Sequence, residues 1–133
     1  YAAGLLNKGV VDAVLVCGAD ELTRPVLAGM RALNILSRRG KLAPFDRGRD
    51  GIIPGEGAAA VVLERADDAE RRGAVIHGLI TGFGFSADMV ERLDYSSPEP
   101  IVRAMSAAIE DSGLTPDLVS ASANSTVTLD RNE

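Results

Sequence analysis

The chain has 133 residues, 46% apolar and 25% charged, with 14 basic against 19 acidic side chains and a formal net charge of -5. Those values fit one ordinary folded domain and exclude two full domains or a mainly disordered chain. The acidic balance argues against nucleic acid or anionic membrane surfaces as partners, no apolar run approaches the roughly 18 residues of a membrane span, and the single cysteine, Cys17, allows neither an internal disulfide nor a structural zinc site. With one free thiol and no leader-like opening segment, a cytoplasmic protein is expected. Tryptophan is absent and small residues abound, which points to helices packed closely on sheets and so to the α/β class.

Tyr1-Ala-Ala-Gly-Leu-Leu-Asn-Lys-Gly9 reads as the closing turns of a helix, with Gly9 as its left-handed cap. The short apolar run Asp12–Cys17 reads as a strand covered on both faces, and Cys17 within it as a small buried hydrophobe. Thr23 and Pro25 supply a helix start, and Leu27, Met30, Leu33 and Leu36 repeat near helical spacing, predicting a helix over Pro25–Leu36. Ser37 to Gly57 holds too many glycines and prolines for regular structure, and an ordered loop of that length in a small domain is functional or a packed crossing segment. A buried strand is expected over Ala58–Leu63, a short charged helix over Ala66–Arg72 ended by Gly73, and a strand over Val75–Phe85. Gly78, Gly82 and Gly84 in that last strand imply bulges or close backbone approach. A polar loop covers Ser86–Ser97. Pro98 opens a long helix with an apolar face of Ile101, Met105, Ala108 and Ile109, and Gly113 closes it. A further short strand is expected over Leu118–Ala121. Asp130-Arg-Asn-Glu133 has the spacing of a capping box, which predicts a helix starting at Asp130 and accounts for both carboxylates without a catalytic role. A chain opening inside one helix and closing at the start of another is expected to be a piece of a longer polypeptide.

The residue chemistry by itself is sparse. Gly51 to Gly57 is glycine-rich but precedes a strand and lacks the lysine and hydroxyl of a phosphate-binding loop. His77, the single histidine, has no second ligand at metal-binding spacing. Arg38, Arg39, Lys41, Arg47 and Arg49 form a basic cluster in which Asp46 and Asp50 are interleaved, so internal ion pairing is expected there. No metal and no cofactor are implied.

The segment Ala43-Pro-Phe-Asp-Arg-Gly-Arg-Asp-Gly-Ile-Ile-Pro-Gly-Glu-Gly-Ala-Ala-Ala-Val-Val-Leu-Glu64 resembles the central signature of the β-ketoacyl-acyl-carrier-protein synthases. In that family Phe45 and Asp46, then Arg49, Asp50 and Gly51, then Gly55, Glu56 and Gly57 have counterparts leading into an apolar strand. Asp12 to Glu21 resembles the strand and turn before it, and Gly82 to Asp88 resembles the family's glycine-aromatic-glycine strand. The resemblance implies a thiolase-like layered α/β/α/β/α architecture of which this chain is an incomplete central portion. Residues 1–133 would form a single partial domain, the end of the N-terminal half and the crossover into the C-terminal half.

Such enzymes join acyl and malonyl thioesters by decarboxylative Claisen condensation in fatty-acid or polyketide biosynthesis. By resemblance the acyl-carrying cysteine would lie upstream of Tyr1 and one histidine downstream of Glu133, while Cys17 falls on a glycine of the family pattern. The other histidine belongs to a loop followed by a serine-threonine pair, an aspartate and a glutamate, which Ser125, Thr126, Asp130 and Glu133 match as structural support of the site. Ser122 then stands in the histidine's place, so no catalytic residue is expected in this chain. A serine hydroxyl is shorter than an imidazole and cannot become cationic. Leu129-Asp-Arg131 resembles the corresponding run of chain-length factors, the non-catalytic partners of ketosynthases, and that subunit type is the leading reading. The alternatives are part of a competent synthase that tolerates Ser122, and an acyl-carrier-protein binding module that uses the basic loop. Implied partners are the remainder of the same fold or a ketosynthase subunit, in a homo- or heterodimer, together with acyl carrier protein.

Overall fold

A computed structural model describes residues 1–87 and 97–133. Among them helix and strand follow one another as α1 (Ala2–Asn7), β1 (Ala13–Asp20), α2 (Arg24–Ala32), β2 (Gly57–Glu64), α3 (Ala66–Arg71), α4 (Glu99–Ser112) and α5 (Val127–Asn132), an α/β order as expected. These residues gather into two units, one of Tyr1–Leu22 with Gly55–Leu79 and the other of Thr23–Pro54 with Ile80–Glu133. The polar loop expected over Ser86–Ser97 lies outside the described residues from position 88 to 96.

In the first unit Gly9 takes φ 65° and ends α1 as the sequence implies. β1 and β2 pair antiparallel, from Ala13 opposite Glu64 to Asp20 opposite Gly57, and Gly18, Ala19 and Asp20 in β1 and Gly57 and Glu64 in β2 carry the ladder past the expected apolar runs. The expectation that these strands are covered on both faces is corrected: Leu15 and Val62 are 64% and 63% exposed, and Cys17 is an exposed free thiol. Helix α1 packs on the ribbon, and a two-stranded ribbon needs further strands or a helical layer to bury both faces. Arg65 joins the ends of three elements, donating to the carbonyls of Leu6 at 3.2 Å and Val11 at 3.0 Å and pairing with Asp12 at 2.8 Å and Asp68 at 2.6 Å. Leu6 and Ala69 are its buried apolar residues among those described.

In the second unit the Thr23 hydroxyl caps α2 by accepting from the Val26 amide at 3.4 Å, with a proline in the first turn. The helix ends at Ala32, four residues before the expected Leu36, because Asn34 turns left-handed at φ 55°. Leu36 instead forms a parallel bridge with Ile52, framed by Ile52 N donating to Ile35 O and Ser37 N to Ile52 O. The rest of the glycine-rich stretch before β2 is irregular, as its breakers require. Pro98 and Gly113 bound α4 as expected, with Gly113 left-handed at φ 64°.

The strands expected over Val75–Phe85 and Leu118–Ala121 do not form, since neither segment has a ladder partner among the described residues. The close approach expected of the glycines does occur. A side chain on Gly82 or Gly84 would strike the α4 backbone around Ala104, Ala108 and Ser112. The inner face of α4 is therefore the stripe of Ile101, Ala104, Ala108 and Ser112, while Met105 and Ile109, expected on that face, stay exposed.

Candidate functional site

The candidate residues near the C-terminus converge on a short turn, residues 122–126, that feeds α5. The helix starts at Val127, with Thr126 as its N-cap, rather than at Asp130, so the capping-box expectation is corrected. Asp130 sits one turn inside α5. Its carboxylate reaches back to accept from the Ser125 amide at 3.0 Å and across to accept from the Phe45 amide at 2.8 Å. Glu133 accepts from the amides of Ser122 at 3.2 Å and Ala123 at 2.7 Å. Asn124 accepts from both the amide and the hydroxyl of Thr126, at 3.1 and 2.8 Å. These acceptors hold a strained backbone, since Ala123 and Ser125 take φ 34° and 73°. Ser125 is fully buried, and Asp130 is 4% exposed. Ser122 is exposed and is held through its amide.

The signature loop closes over this turn. Ala43 N donates to Ser125 Oγ at 3.1 Å, and Gly51 N donates to Ser125 O at 3.0 Å. Arg49 donates to the carbonyls of Thr126 at 3.3 Å, Val127 at 3.0 Å and Asp46 at 2.9 Å, and its Nε lies 3.5 Å from Asp130. The structure thus brings Phe45, Asp46, Arg49 and Gly51 together with Ser125, Thr126 and Asp130. Because the Gly51 amide is engaged internally, it is not offered to a phosphate.

The basic cluster is not neutralised in the way its local sequence implies. Arg49 pairs with distant Asp130, whereas Asp46 accepts from the Gly48 amide at 2.6 Å. Asp50 accepts from the Ser37 hydroxyl at 2.6 Å and the amides of Arg38 and Arg39 at 3.1 and 3.2 Å. Those bonds, the Ser37 hydroxyl first, hold the Asp50 carboxyl below its ordinary range, with the Arg39 charge adding to the effect against partial desolvation. A depressed native pKa stabilises the fold above the unfolded value, and that contribution disappears as pH falls through the native value. The Asp50→Asn variant is therefore expected to lose part of the acid dependence of the unfolding midpoint below about pH 4, read from thermal melts across that range.

Gly55, Glu56 and Gly57 belong to the first unit. There Gly57 pairs with Asp20 in the ribbon, and the Glu56 carboxylate accepts from the Leu22 amide at 3.4 Å. His77 is exposed in that unit, and among the described residues no group of three or more metal-ligating side chains comes together. No described helix is long and apolar enough to cross a membrane. Sequence reasoning overlooked Asn124, whose placement two residues before Thr126 is an Asx-turn signal. The internal ion pairing expected of the basic cluster is present at Arg49, with Asp130 rather than an interleaved aspartate as the carboxylate. Chemically, the turn presents, from a backbone held at the Ser122 amide, an exposed hydroxyl that can donate one hydrogen bond and carry no positive charge.

Residues 1–69 match the family model described as the N-terminal domain of β-ketoacyl synthase. Over 129 residues the chain is 33% identical to a 3-oxoacyl-(acyl-carrier-protein) synthase 2 of Coxiella burnetii, covering 90% of this chain and 30% of that relative. The crystal structure of a β-ketoacyl synthase from Burkholderia phymatum superposes with a TM-score of 0.89 at 34% identity, over 100% of this chain and 34% of that one. The solved ishigamide ketosynthase/chain length factor gives a TM-score of 0.89 at 32% identity, over 98% of this chain and 33% of that one. The chain spans about 30% of the length of the curated relatives it matches. Its architecture is part of the thiolase-like layered fold of these neighbours.

Proposed function

The chain belongs to the β-ketoacyl synthase family, and from that premise we propose that it is the central piece of a chain-length-factor-like subunit, which shapes condensation in fatty-acid or polyketide synthesis without performing it. In this reading residues 1–133 form a single partial domain, the end of the N-terminal half and the crossover into the C-terminal half. The protein works in the cytoplasm beside a ketosynthase subunit in a dimer, and acyl carrier protein delivers its substrates. The remainder of the same fold, or the partner subunit, covers the exposed ribbon of β1 and β2.

One observation carries the reading. Ser122 stands on the turn held by Asp130, Glu133, Ser125 and Thr126, at the position that the family resemblance gives to a histidine. Decarboxylative condensation develops negative charge on an enolate oxygen, and loss of one donor from such a site costs about 100- to 1000-fold in rate. A likeness to a ketosynthase/chain length factor structure adds support. The turn is clamped through backbone amides at Ser122 and Ala123, so a larger side chain at 122 leaves the clamp in place. The test is Ser122→His in the full-length protein, assayed for malonyl decarboxylation. A scaffold subunit shows no change. A gain of about 100-fold or more identifies a damaged synthase instead.

A further inference from the structure

We infer that Arg49 is a positioning residue that fixes where the side chain of residue 122 stands. Its side chain is 15% exposed and each of its three nitrogens is engaged, Nη1 on Asp46 O, Nη2 on Val127 O, and Nε shared between Thr126 O and Asp130. The other ties from the signature loop to the turn, at Ala43, Phe45 and Gly51, are backbone amides, so among the described residues Arg49 is the side chain of that loop that reaches across. Its targets are the N-cap carbonyl and the first helical carbonyl of α5. A six-residue helix is not stable by itself and takes its position from what anchors its first turn. The same helix is followed by its C-cap Glu133, whose carboxylate holds the amides of Ser122 and Ala123. Position therefore passes from Arg49 to the start of α5, along α5 to Glu133, and from Glu133 to residue 122. The left-handed backbone at Ala123 and Ser125 persists only while this chain of contacts over-determines it. A lysine keeps the charge but is a single point of donors and cannot bridge carbonyls of two segments as a planar fork does.

The inference concerns placement alone and stands whichever chemistry residue 122 serves, so its failure and that of the functional reading are separable. The test uses the full-length protein with Cys17→Ser and Ser122→Cys, the new thiol carrying a trifluoromethyl tag, and the fluorine resonance of residue 122 is assigned by difference from the protein lacking that thiol. With Arg49 present one narrow line is expected. In Arg49→Lys the line splits or broadens from exchange among turn conformations, and Arg49→Gln does the same to a greater extent. A narrow, unshifted line in Arg49→Lys overturns the inference whatever the glutamine variant does. A lowered melting temperature with that line unchanged overturns it too, because Arg49 then stabilises the fold without placing residue 122.

Discussion

Replacing Asp130 with alanine is expected to destabilise the folded chain by about 3–5 kcal/mol, the cost of breaking a buried ion pair by removing one partner. The Asp130 side chain is 0% exposed and faces three groups at once: the Ser125 amide, the Phe45 amide and the Arg49 guanidinium. Alanine leaves two donors without an acceptor and a largely buried cation without its counter-charge. Asparagine does not rescue the position. One of its two terminal atoms becomes a donor and must face either the Ser125 or the Phe45 amide, so Asp130→Asn is expected to recover only part of the loss. Urea unfolding of the full-length protein reads both variants from the midpoint at constant slope. A loss under about 1 kcal/mol for alanine, the value of an ordinary exposed pair, contradicts this account of the turn.

Gly51→Ala is expected to cost about 3 kcal/mol or more, through two effects that add. The residue takes φ 140°, a conformation that side chains rarely adopt, and a Cβ there would stand 2.6 Å from Ile35 O, 2.7 Å from Leu36 C and 2.8 Å from Ser37 N. These obstacles are backbone, and they cannot retreat because Ile52 bonds on both sides of Leu36. Strained backbone costs on the order of 1–3 kcal/mol and overpacking about the same again. Gly55→Ala is the control. No atom lies within 4 Å of its added methyl, so a change within about 0.5 kcal/mol is expected. Equal effects at the two glycines in the same urea titrations would show that composition, not the close approach, sets the requirement at Gly51.

What could be read from the chain follows from how local each cause is. Thr23, Pro25, Pro98 and Gly113 act within one turn of themselves, and the helices they bound are where the residues imply. The early end of α2 has a local cause as well, left-handed Asn34, but nothing in its apolar repeat announces it. Val75–Phe85 has the apolar character of a strand, yet pairing is a property of two segments, and the described residues supply no second one. The site shows the same division. Local charge spacing gave Arg49 the neighbours Asp46 and Asp50, while its carboxylate partner is Asp130 at the other end of the chain. Capping-box spacing gave Asp130 and Glu133 to each other, whereas both reach back to the turn before α5. The signature residues Phe45, Arg49 and Gly51 were recognisable by resemblance. Their shared task, closing over Ser125 and Asp130, became visible only with the fold.

The measurement that bears most directly on the proposed role is carbon-carbon bond formation from acyl- and malonyl-carrier protein. It is run with the full-length protein alone and again after addition of a ketosynthase subunit. A scaffold subunit bearing Ser122 yields no product alone and supports product formation once the partner is present. Condensation product from the protein by itself would contradict the account.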